Sequence, residues 1–326
     1  MTPESPAPSA GRAETAGTAG RPATADTVAA KSAGTADTVA ATRQALAEVG
    51  YLADEPAALV SFLAQHLGKP ILVEGPAGVG KTELAKAISR ASGRELVRLQ
   101  CYEGLDEAKA LYEWNYRKQL LKIQAEGRED AFDDVFGEEF LLTRPLMQAI
   151  ASPDPVVLLI DEIDKTDPEF EAMLLELLSD FQLSIPELGT IVATTMPIVV
   201  LTSNNARELT EALKRRCLYL WLDYPSAERE IEIVRLHVPE LDEKLARRLV
   251  EVTAMIRELD LKKPPSIAES IDWARTLLLI GAEDIDRETF DRSISILVKH
   301  RTDIDLVAER VGLRLEDEAK WPSPSG

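Results

Sequence analysis

The sequence predicts an α/β fold: a five-stranded parallel sheet flanked by helices, followed by a small region built only of helices. The first observation is that five short, mainly apolar runs alternate with helical segments up to residue 225. Because these runs are continuous rather than alternating, they are typical of parallel strands with helices covering both faces. The second observation is that the pattern from residue 226 onward is helical only. The predicted strands cover residues 70–74, 95–101, 156–161, 197–204 and 218–224.

Composition and pattern divide the chain into four predicted parts. Residues 1–42 are rich in Ala, Thr, Gly and Pro and hold almost no large apolar side chain, so we expect this tail to be disordered. The α/β core is predicted at 43–225, the helical region at 226–305 and a polar tail at 306–326. Inside the core, residues 181–193 contain two short apolar runs around a Pro-Glu-Leu-Gly turn, which predicts a β-hairpin.

The composition restricts the classes of function. The 326 residues include 37 basic and 56 acidic side chains, and the net charge of −19 disfavours binding to nucleic acid or to an anionic membrane. There is no run of 18 apolar residues and no apolar leader, so we expect neither membrane insertion nor secretion. Cys101 and Cys217 lack metal-type spacing and the three histidines are isolated. We therefore expect reduced thiols in a cytoplasmic protein and no histidine metal site.

The string GPAGVGKT carries the strongest functional signal. It fits the pattern G-x-x-x-x-G-K-[ST], with Gly75, Gly80, Lys81 and Thr82 in the four specified positions. In such a loop the backbone N–H groups surround phosphates, the lysine reaches the outer phosphates, and the Thr hydroxyl is a ligand of Mg²⁺. A predicted strand precedes the string and a predicted helix follows it, which is the expected context. The predicted nucleotide-binding residues are Gly75, Pro76, Ala77, Gly78, Val79, Gly80, Lys81 and Thr82, with ATP and Mg²⁺ as cofactors.

Two adjacent acids end the third predicted strand. Asp161 and Glu162 follow the apolar run VVLLI, which places both carboxylates at the sheet edge where the phosphate loop opens. Asp161 is predicted to bind the nucleotide and its Mg²⁺ together with Thr82, directly or through water. Glu162 is predicted to orient and deprotonate the attacking water, which separates a hydrolase from a kinase. Without the phosphate loop, the same residues indicate only an acidic loop.

Further polar groups follow the fourth predicted strand. Asn204 is placed to bond both the γ-phosphate and the water, with Asn205 as an alternative for this role and helix capping as an alternative function. Arg215 and Arg216 stand just before the last strand. They are either ordinary surface charge or an arginine finger that reaches the γ-phosphate of a neighbouring subunit. Arg216 is the preferred candidate because it lies nearer the strand.

These elements, in this order, resemble the AAA+ ATPases, with GPAGVGKT as Walker A, VVLLIDE as Walker B, LTSN as sensor 1 and LKRRC as the arginine-finger box. IDEIDKTDPEFEAMLLELLSDFQLSIPELG and LTSNNARELTEALKRRC are similar to the MoxR branch, and QCYEGLDEAKALYEWNYRKQLL and PPSIAESIDWARTL to its CoxD-like subgroup. The resemblance implies a P-loop NTPase core with a helical lid, a hexameric ring, and ATP-driven, chaperone-like remodelling of a protein client. It further implies a role in maturation or metal-cofactor insertion of a molybdenum hydroxylase such as carbon monoxide dehydrogenase, and a von Willebrand factor A-domain partner.

The sequence departs from this branch in the lid and in one long connection. Many MoxR proteins carry a sensor-2 arginine early in the third lid helix, but the matching stretch 266–270 has none. Coupling of the lid to the γ-phosphate would then use another group, such as Arg275 or Lys263, or be weak. The segment 102–142 is longer than a crossover needs. It is either a pore or partner surface, or an aromatic helix packed on the core with an acidic loop. Tyr51 is either an adenine contact or a core residue.

Two other classes of function remain open. One is a nucleotide-gated interaction module that hydrolyses too slowly to do work, which the missing sensor 2 favours and the set Glu162, Asn204 and Arg216 opposes. The other is a nucleic-acid-acting AAA+ protein, which the net charge of −19 opposes.

Overall fold

The computed structural model describes residues 38–126, 137–185 and 189–320, and all of them after Thr38 belong to one unit. The strands are β1 (Ile71–Glu74), β2 (Glu95–Gln100), β3 (Tyr112–Trp114), β4 (Leu141–Thr143), β5 (Val156–Asp161), β6 (Gln182–Ile185), β7 (Gly189–Val192), β8 (Ile198–Ser203) and β9 (Leu218–Trp221). The core helices are α1 (38–48), α2 (Glu55–Leu67), α3 (Lys81–Ser92), α4 (Glu107–Ala110), α5 (Tyr116–Glu126), α6 (Pro145–Ala151), α7 (Pro168–Asp180) and α8 (Glu211–Lys214). The C-terminal helices are α9 (Ala227–His237), α10 (Glu243–Arg257), α11 (Ile267–Leu279), α12 (Arg287–Leu297) and α13 (Arg301–Lys320).

The main sheet has five parallel strands in the order β2-β5-β8-β1-β9. This confirms the predicted five-stranded parallel sheet. Every residue of β1, β5 and β8 is buried, as expected for continuous apolar runs with helices on both faces. Because all five strands are parallel, their carboxyl ends lie at one edge of the sheet, and the polar residues that follow them meet there.

Separate apolar clusters cover the two faces of the sheet. On one face, Leu146 of α6 and Leu174 of α7 pack against the buried side chains of β5 and β8. On the other face, Ala58 of α2 and Leu84 of α3 belong to a cluster that also includes Val73 of β1. Helix α3 begins at Lys81, directly after the phosphate loop, and its position on the sheet therefore fixes where that loop ends.

Two small antiparallel pairs interrupt the alternation. Strands β6 and β7 pair from Gln182–Val192 to Ile185–Gly189, which confirms the predicted hairpin; its turn, 186–188, lies outside the described residues. Within the long connection 102–142, β3 pairs with β4. The aromatic residues Tyr112 and Trp114 therefore lie on a strand, and the predicted aromatic helix is wrong for them because α5 begins only at Tyr116. The part of the predicted acidic loop at 127–136 lies outside the described residues.

The five C-terminal helices, here called the helical region (227–320), form an apolar cluster of their own. The predicted polar tail at 306–326 is wrong for residues up to 320, because α13 runs from Arg301 to Lys320. Val307, Val311 and Leu315 are buried in the cluster, so this helix belongs to the region rather than to a tail. Residues 321–326 lie outside the described part of the chain.

The N-terminal boundary also differs from the prediction. The predicted tail 1–42 lies outside the described residues except for 38–42, which are the first residues of helix α1. This helix begins there because Val39 and Leu46 pack against the cluster beside β1, which stabilises a helix that composition alone does not indicate. Among the described residues, no helix is both long enough and apolar enough to cross a membrane.

Candidate functional site: a nucleotide cleft at the sheet edge

A cleft of about 1020 Å³ opens at the carboxyl edge of the sheet, between the core and the helical region. Its floor is the second half of the phosphate loop, from Ala77 onward, with the first residues of α3. Asp161, Glu162 and Asn204 stand on one side of it. Helices α9 and α11 close the other side. The structure thus brings together in one cleft the residues that the sequence assigned to phosphate, metal and water.

Lys81 is the buried cation of the phosphate loop. Its side chain is enclosed, and its Nζ donates to the carbonyl oxygens of Gly75 at 2.8 Å and Pro76 at 2.6 Å. Burial lowers the Lys81 pKa from its ordinary value, and the nearby carboxylates of Asp164 and Asp161 oppose that shift. The lysine therefore folds back on its own loop, and an anion in the cleft would offer this charge a better partner than two neutral carbonyls. Gly75 and Pro76 do not line the cleft but accept from this lysine.

The glycines of the loop are required by neighbouring protein as well as by space for phosphate. A Cβ at Gly75 would lie 1.9 Å from the carbonyl oxygen of Leu222, and one at Gly78 would lie 2.1 Å from the Ser266 Cβ. Both glycines also have positive φ, 151° and 81°, which side chains rarely allow. The loop is consequently pressed against the end of β9 and the start of α11, two contacts that the pattern G-x-x-x-x-G-K-[ST] does not reveal.

Asp161 is surrounded by oxygen and nitrogen donors. The hydroxyls of Thr82 and Thr202 donate to its Oδ1 at 2.9 and 2.6 Å. On the other oxygen, Arg98 of β2 donates to Oδ2 through Nε at 3.2 Å and Nη2 at 2.5 Å. Neither Thr202 nor Arg98 was predicted as a site residue. Arg98 stands two residues before the end of β2 and so shares a strand face with Gln100.

The residues present fit Mg²⁺ bound together with nucleotide. Thr82 and Asp161 supply a hydroxyl and a carboxylate 2.9 Å apart, both oxygen ligands of the kind Mg²⁺ prefers. Within the described ranges, no cluster of three or more Asp, Glu, His or Cys side chains has the arrangement of a metal site. The protein would therefore contribute Thr82 and Asp161, and phosphate and water would complete the shell, as is usual for this ion.

Glu162 projects from the end of β5 on a backbone that side chains seldom adopt, with φ 59° and ψ 49°. Its N–H donates to the Thr202 hydroxyl at 2.9 Å, which fixes this turn to β8. Its carboxylate accepts from Gln100 Nε2 at 2.8 Å, and Lys165 Nζ lies 2.6 Å from it. This contact raises the pKa of the Lys165 ammonium. The carboxylate is thus held at the cleft side by polar neighbours and remains partly exposed.

Asn204 is anchored through its backbone and points its amide at Glu162. Its N–H donates to Asp164 Oδ2 at 3.1 Å, and its Nδ2 lies 3.4 Å from Glu162 Oε1. The alternative Asn205 has φ 59° and does not line the cleft. Asp164 is buried, and its Oδ1 has no hydrogen-bond partner in the described part of the chain. The geometry therefore favours Asn204 over Asn205 for contact with a ligand.

The arginine pair lies outside the cleft. Arg216 is exposed, and it donates to the Ser179 hydroxyl at 2.6 Å and to the Ala212 carbonyl at 3.0 Å. Arg215 is exposed as well. Neither residue contributes to the lining of this chain's own cleft. If either acts on a nucleotide, that nucleotide must be in another copy of the chain.

The loop that leads to this pair is fixed by a buried carboxylate. Glu171 of α7 is fully buried and accepts from the N–H and hydroxyl of Thr210 at 2.9 and 2.7 Å. Arg207 Nη2 lies 2.6 Å from its other oxygen, a contact of charges rather than an aligned hydrogen bond. The segment 204–210 is therefore tied to the α7 side of the core at both ends, by Asp164 and by Glu171.

The far end of the cleft has an apolar wall. Tyr51, Trp221 and Ile233 line it together with Ile267 and Ile271. Burial raises the Tyr51 pKa far above its ordinary value, so its hydroxyl stays neutral at physiological pH. Two basic side chains with no predicted role and one isolated histidine also line the cleft: Arg43, Arg229 and His237.

The candidates for a sensor-2 replacement do not line the cleft. Arg275 pairs with Asp272 at 3.3 Å and Lys263 with Glu269 at 3.3 Å. The residues of α11 that face the cleft are apolar or small: Ile267, Ala268 and Ile271. In this arrangement, Arg275 and Lys263 each pair with an acid of α11 outside the cleft lining.

The fold and the cleft together define a P-loop nucleotide-binding protein with a parallel five-stranded sheet of AAA+ type and C-terminal helices. The segment 70–217 matches the family model of the AAA domain, dynein-related subfamily. It contains the phosphate loop, both acids, Asn204 and the arginine pair.

The chain is similar to two proteins of known sequence. The chain is 26% identical over 203 residues to the gas vesicle ATPase GvpN of Haloferax mediterranei, covering 59% of this chain and 57% of that protein. It therefore spans less than two thirds of that relative. It is also 26% identical over 219 residues to an uncharacterised protein of Staphylococcus aureus, covering 65% of this chain and 76% of the relative.

Among solved structures, a Thermotoga maritima RuvB mutant is similar with a TM-score of 0.49 and 17% identity, covering 83% of this chain and 78% of that one. The Thermotoga maritima RuvB Holliday junction branch migration motor gives a TM-score of 0.46, also at 17% identity, over 83% and 76% of the two chains.

Proposed function

We propose that this chain binds ATP with Mg²⁺ in the cleft and hydrolyses it. The observation that carries the proposal is that Lys81, Thr82, Asp161, Glu162 and Asn204, distant in sequence, surround one space at the sheet edge. Lys81 and the loop N–H groups bind the outer phosphates. Thr82 and Asp161 would hold Mg²⁺, which would supply positive charge to offset the charge that develops on these phosphates. Glu162 takes the proton of the attacking water, and the Asn204 amide holds that water in line.

The variant Glu162→Gln tests the hydrolytic part. It keeps the shape of the side chain and its contact with Asn204 but cannot accept a proton, and loss of a general base costs about 10²–10⁴ in rate. We expect turnover to fall at least about 100-fold while the Kd for ATP stays within about threefold of wild type. The matched control is Glu103→Gln, an exposed glutamate outside the cleft lining. Wild-type turnover in the Glu162 variant would remove this residue from the role of base.

We further propose that Arg216 acts on the cleft of a neighbouring copy. The support is its position on the surface, outside its own cleft, at the end of a loop anchored by buried Glu171. A finger supplied in trans requires repeated head-to-tail interfaces, which close into a ring, and the MoxR resemblance gives a hexamer.

Mixing two inactive variants tests this directly. Arg216→Ala keeps an intact cleft, and Glu162→Gln keeps an intact finger. If the finger acts between copies, mixtures form composite sites with both parts, and we expect activity above the sum of the separate variants. A mixture that shows only the sum, although both chains co-assemble, contradicts the trans assignment. Arg215→Ala in the same assay decides between the two arginines.

The work done by hydrolysis is proposed from resemblance alone. The strings similar to the MoxR branch and its CoxD-like subgroup suggest remodelling of a protein client, with a molybdenum hydroxylase and a von Willebrand factor A-domain protein as candidate partners. A direct test is the metal content of a molybdenum hydroxylase produced with wild-type chain, with Glu162→Gln, or with neither. Equal metal content in all three excludes this client.

The two rival classes have their own assays. A nucleotide-gated module would bind ATP, and its slow turnover would not depend on assembly. In a ring enzyme, the ATPase activity per chain should rise with protein concentration, so this measurement separates the two classes. A nucleic-acid-acting protein would bind DNA with an affinity that falls steeply as salt rises. With a net charge of −19 we expect no such binding.

A further inference from the structure

The helical region and the link that precedes it touch the phosphate loop at two consecutive backbone carbonyls. The Tyr224 hydroxyl donates to the carbonyl oxygen of Ala77 at 3.2 Å. The N–H of Ile267, at the start of α11, donates to the carbonyl oxygen of Gly78 at 3.3 Å. At Gly78 the approach is so close that a Cβ would collide with Ser266. The region therefore contacts the backbone of the loop, at carbonyls that do not themselves bind phosphate.

Arg257 connects the Tyr224 contact to three parts of the helical region. Its guanidinium stacks on the Tyr224 ring, 4.6 Å from the ring centre. It donates two hydrogen bonds to the carboxylate of Glu230 on α9, at 2.6 and 2.9 Å. It also donates to the carbonyl oxygen of Pro265, just before α11, at 2.8 Å. Glu230 is buried and the Arg257 side chain is only 13% exposed. An enclosed two-bond pair of this kind holds a fixed orientation.

Ser270 completes the network on α11. Its hydroxyl donates to Glu230 at 2.8 Å, and α11 itself begins with a capping box between Ser266 and Glu269. Helices α9, α10 and α11 are thus joined by charge-assisted bonds at the end that faces the loop. A displacement of the loop carbonyls is transmitted to three helices together because these helices share one set of bonds.

We infer that Tyr224 and Arg257 are positioning residues that couple the phosphate loop to the helical region through the backbone of Ala77 and Gly78. The contact through Tyr224 and Arg257 takes the place of a cation on α11 that would contact the phosphate, because the residues of α11 that face the cleft are Ile267, Ala268 and Ile271. The inference rests on the proposed binding of nucleotide at this loop. By linkage, a ligand that biases the loop biases the helical region by the same free energy, and the reverse holds.

Tyr224→Phe is the sharpest perturbation. It removes only the hydroxyl, keeps the ring under Arg257, and leaves the chain's packing intact. A neutral hydrogen bond is worth about 0.5–1.5 kcal/mol net, or about a 2- to 10-fold change in an equilibrium. Arg257→Lys keeps the charge and loses the two-bond geometry and the stack. The matched control is Arg275→Lys. Arg275 lies outside the cleft lining and outside the bonds of Tyr224 and Arg257, and it pairs with Asp272 on the same helix.

The first measurement is amide hydrogen exchange of the free protein. With the hydroxyl removed, we expect amides of the first turn of α11 and of the loop to exchange about 2- to 10-fold faster, while α12 and α13 are unchanged. Arg257→Lys should give the same pattern and Arg275→Lys none. Unchanged exchange in Tyr224→Phe overturns the coupling, whether or not the protein binds nucleotide.

The second measurement adds ADP or a non-hydrolysable ATP analogue with Mg²⁺. In wild type, we expect bound nucleotide to slow amide exchange at the start of α11. In Tyr224→Phe, we expect nucleotide affinity to be about 2- to 10-fold weaker. At saturating nucleotide, we expect exchange in this variant to slow by less than half as much as in wild type. Full slowing at saturation in Tyr224→Phe contradicts the inference. Wild-type protein that binds no nucleotide contradicts the proposed function instead, and the free-protein measurement then decides the coupling alone.

Discussion

Glu171→Ala should destabilise the protein strongly, although Glu171 touches no part of the cleft. The carboxylate is fully buried beneath the segment 204–210. It accepts two hydrogen bonds from Thr210 and faces the guanidinium of Arg207 at 2.6 Å. Removing it leaves a buried N–H and a cation without their acceptor, and it leaves a cavity in the space that the side chain fills.

The magnitude follows from the burial of each partner. Deleting one member of a buried ion pair costs about 3–5 kcal/mol. Arg207 is 29% exposed and can recover some hydration, which places the expected loss at the lower end, about 3 kcal/mol. Glu171→Gln keeps an acceptor for Thr210 and loses only the charge, so about 1–2 kcal/mol is expected for it.

The assay is urea unfolding followed by circular dichroism, with Glu208→Ala as the control from the same loop. Glu208 is 86% exposed and lies 3.6 Å from Lys214, so its removal should cost less than about 1 kcal/mol. A loss of less than about 1 kcal/mol in the free energy of unfolding of Glu171→Ala would contradict a stabilising role of the buried carboxylate. An equal loss in Glu171→Gln and Glu171→Ala would contradict the separate roles of the hydrogen bonds and the charge.

Three further predictions concern the loop, the metal and the thiols. Gly75→Ala should abolish nucleotide binding, because its Cβ would meet a carbonyl oxygen 1.9 Å away. The control Gly93→Ala, with φ 66° and open space around it, should cost about 1 kcal/mol of stability and leave binding intact. Equal effects of the two variants on nucleotide binding would refute this prediction. Arg98→Gln removes a positive charge from the metal-binding carboxylate, so the Mg²⁺ concentration for half-maximal nucleotide binding should fall about 2- to 10-fold in a titration, and a rise would contradict it. Burial raises the pKa of Cys101 and Cys217 to about 12, so at pH 8 both should react with a thiol reagent at least about 100-fold more slowly than in urea. Because the folded thiols stay neutral while unfolded ones ionise, stability should fall as pH rises from about 9 towards 12.

The sheet and the phosphate loop could be predicted because their signals are local. A continuous apolar run such as 197–204 indicates a buried strand, and the observed β8 spans Ile198–Ser203. The strand order places β8 between β5 and β1, and no local pattern states it. Even so, strands in a parallel sheet end at one edge, and this alone brought Asp161 and Asn204 to one cleft.

The contacts that were missed are long-range ones. Arg98 binds Asp161 across 63 positions of sequence, and Tyr224 reaches the loop across 147. Nothing in the residue types near Arg98 distinguishes it from a surface arginine of an edge strand. The failed boundary at 305 is different, because its signal was present: Val307, Val311 and Leu315 recur every four residues, the spacing of one helix face.

The five residues 222–226 make the only covalent link between β9 and the helical region, and the phosphate loop presses on them where Gly75 lies under the Leu222 carbonyl. Helix α9 continues from this link for 11 residues, about 16 Å. A rotation of about 10° at the link moves the far end of α9 by about 3 Å. If a change of shape in the phosphate loop rotates this link, the outer end of α9 would move much farther than the loop itself, because the helix extends so far beyond the link.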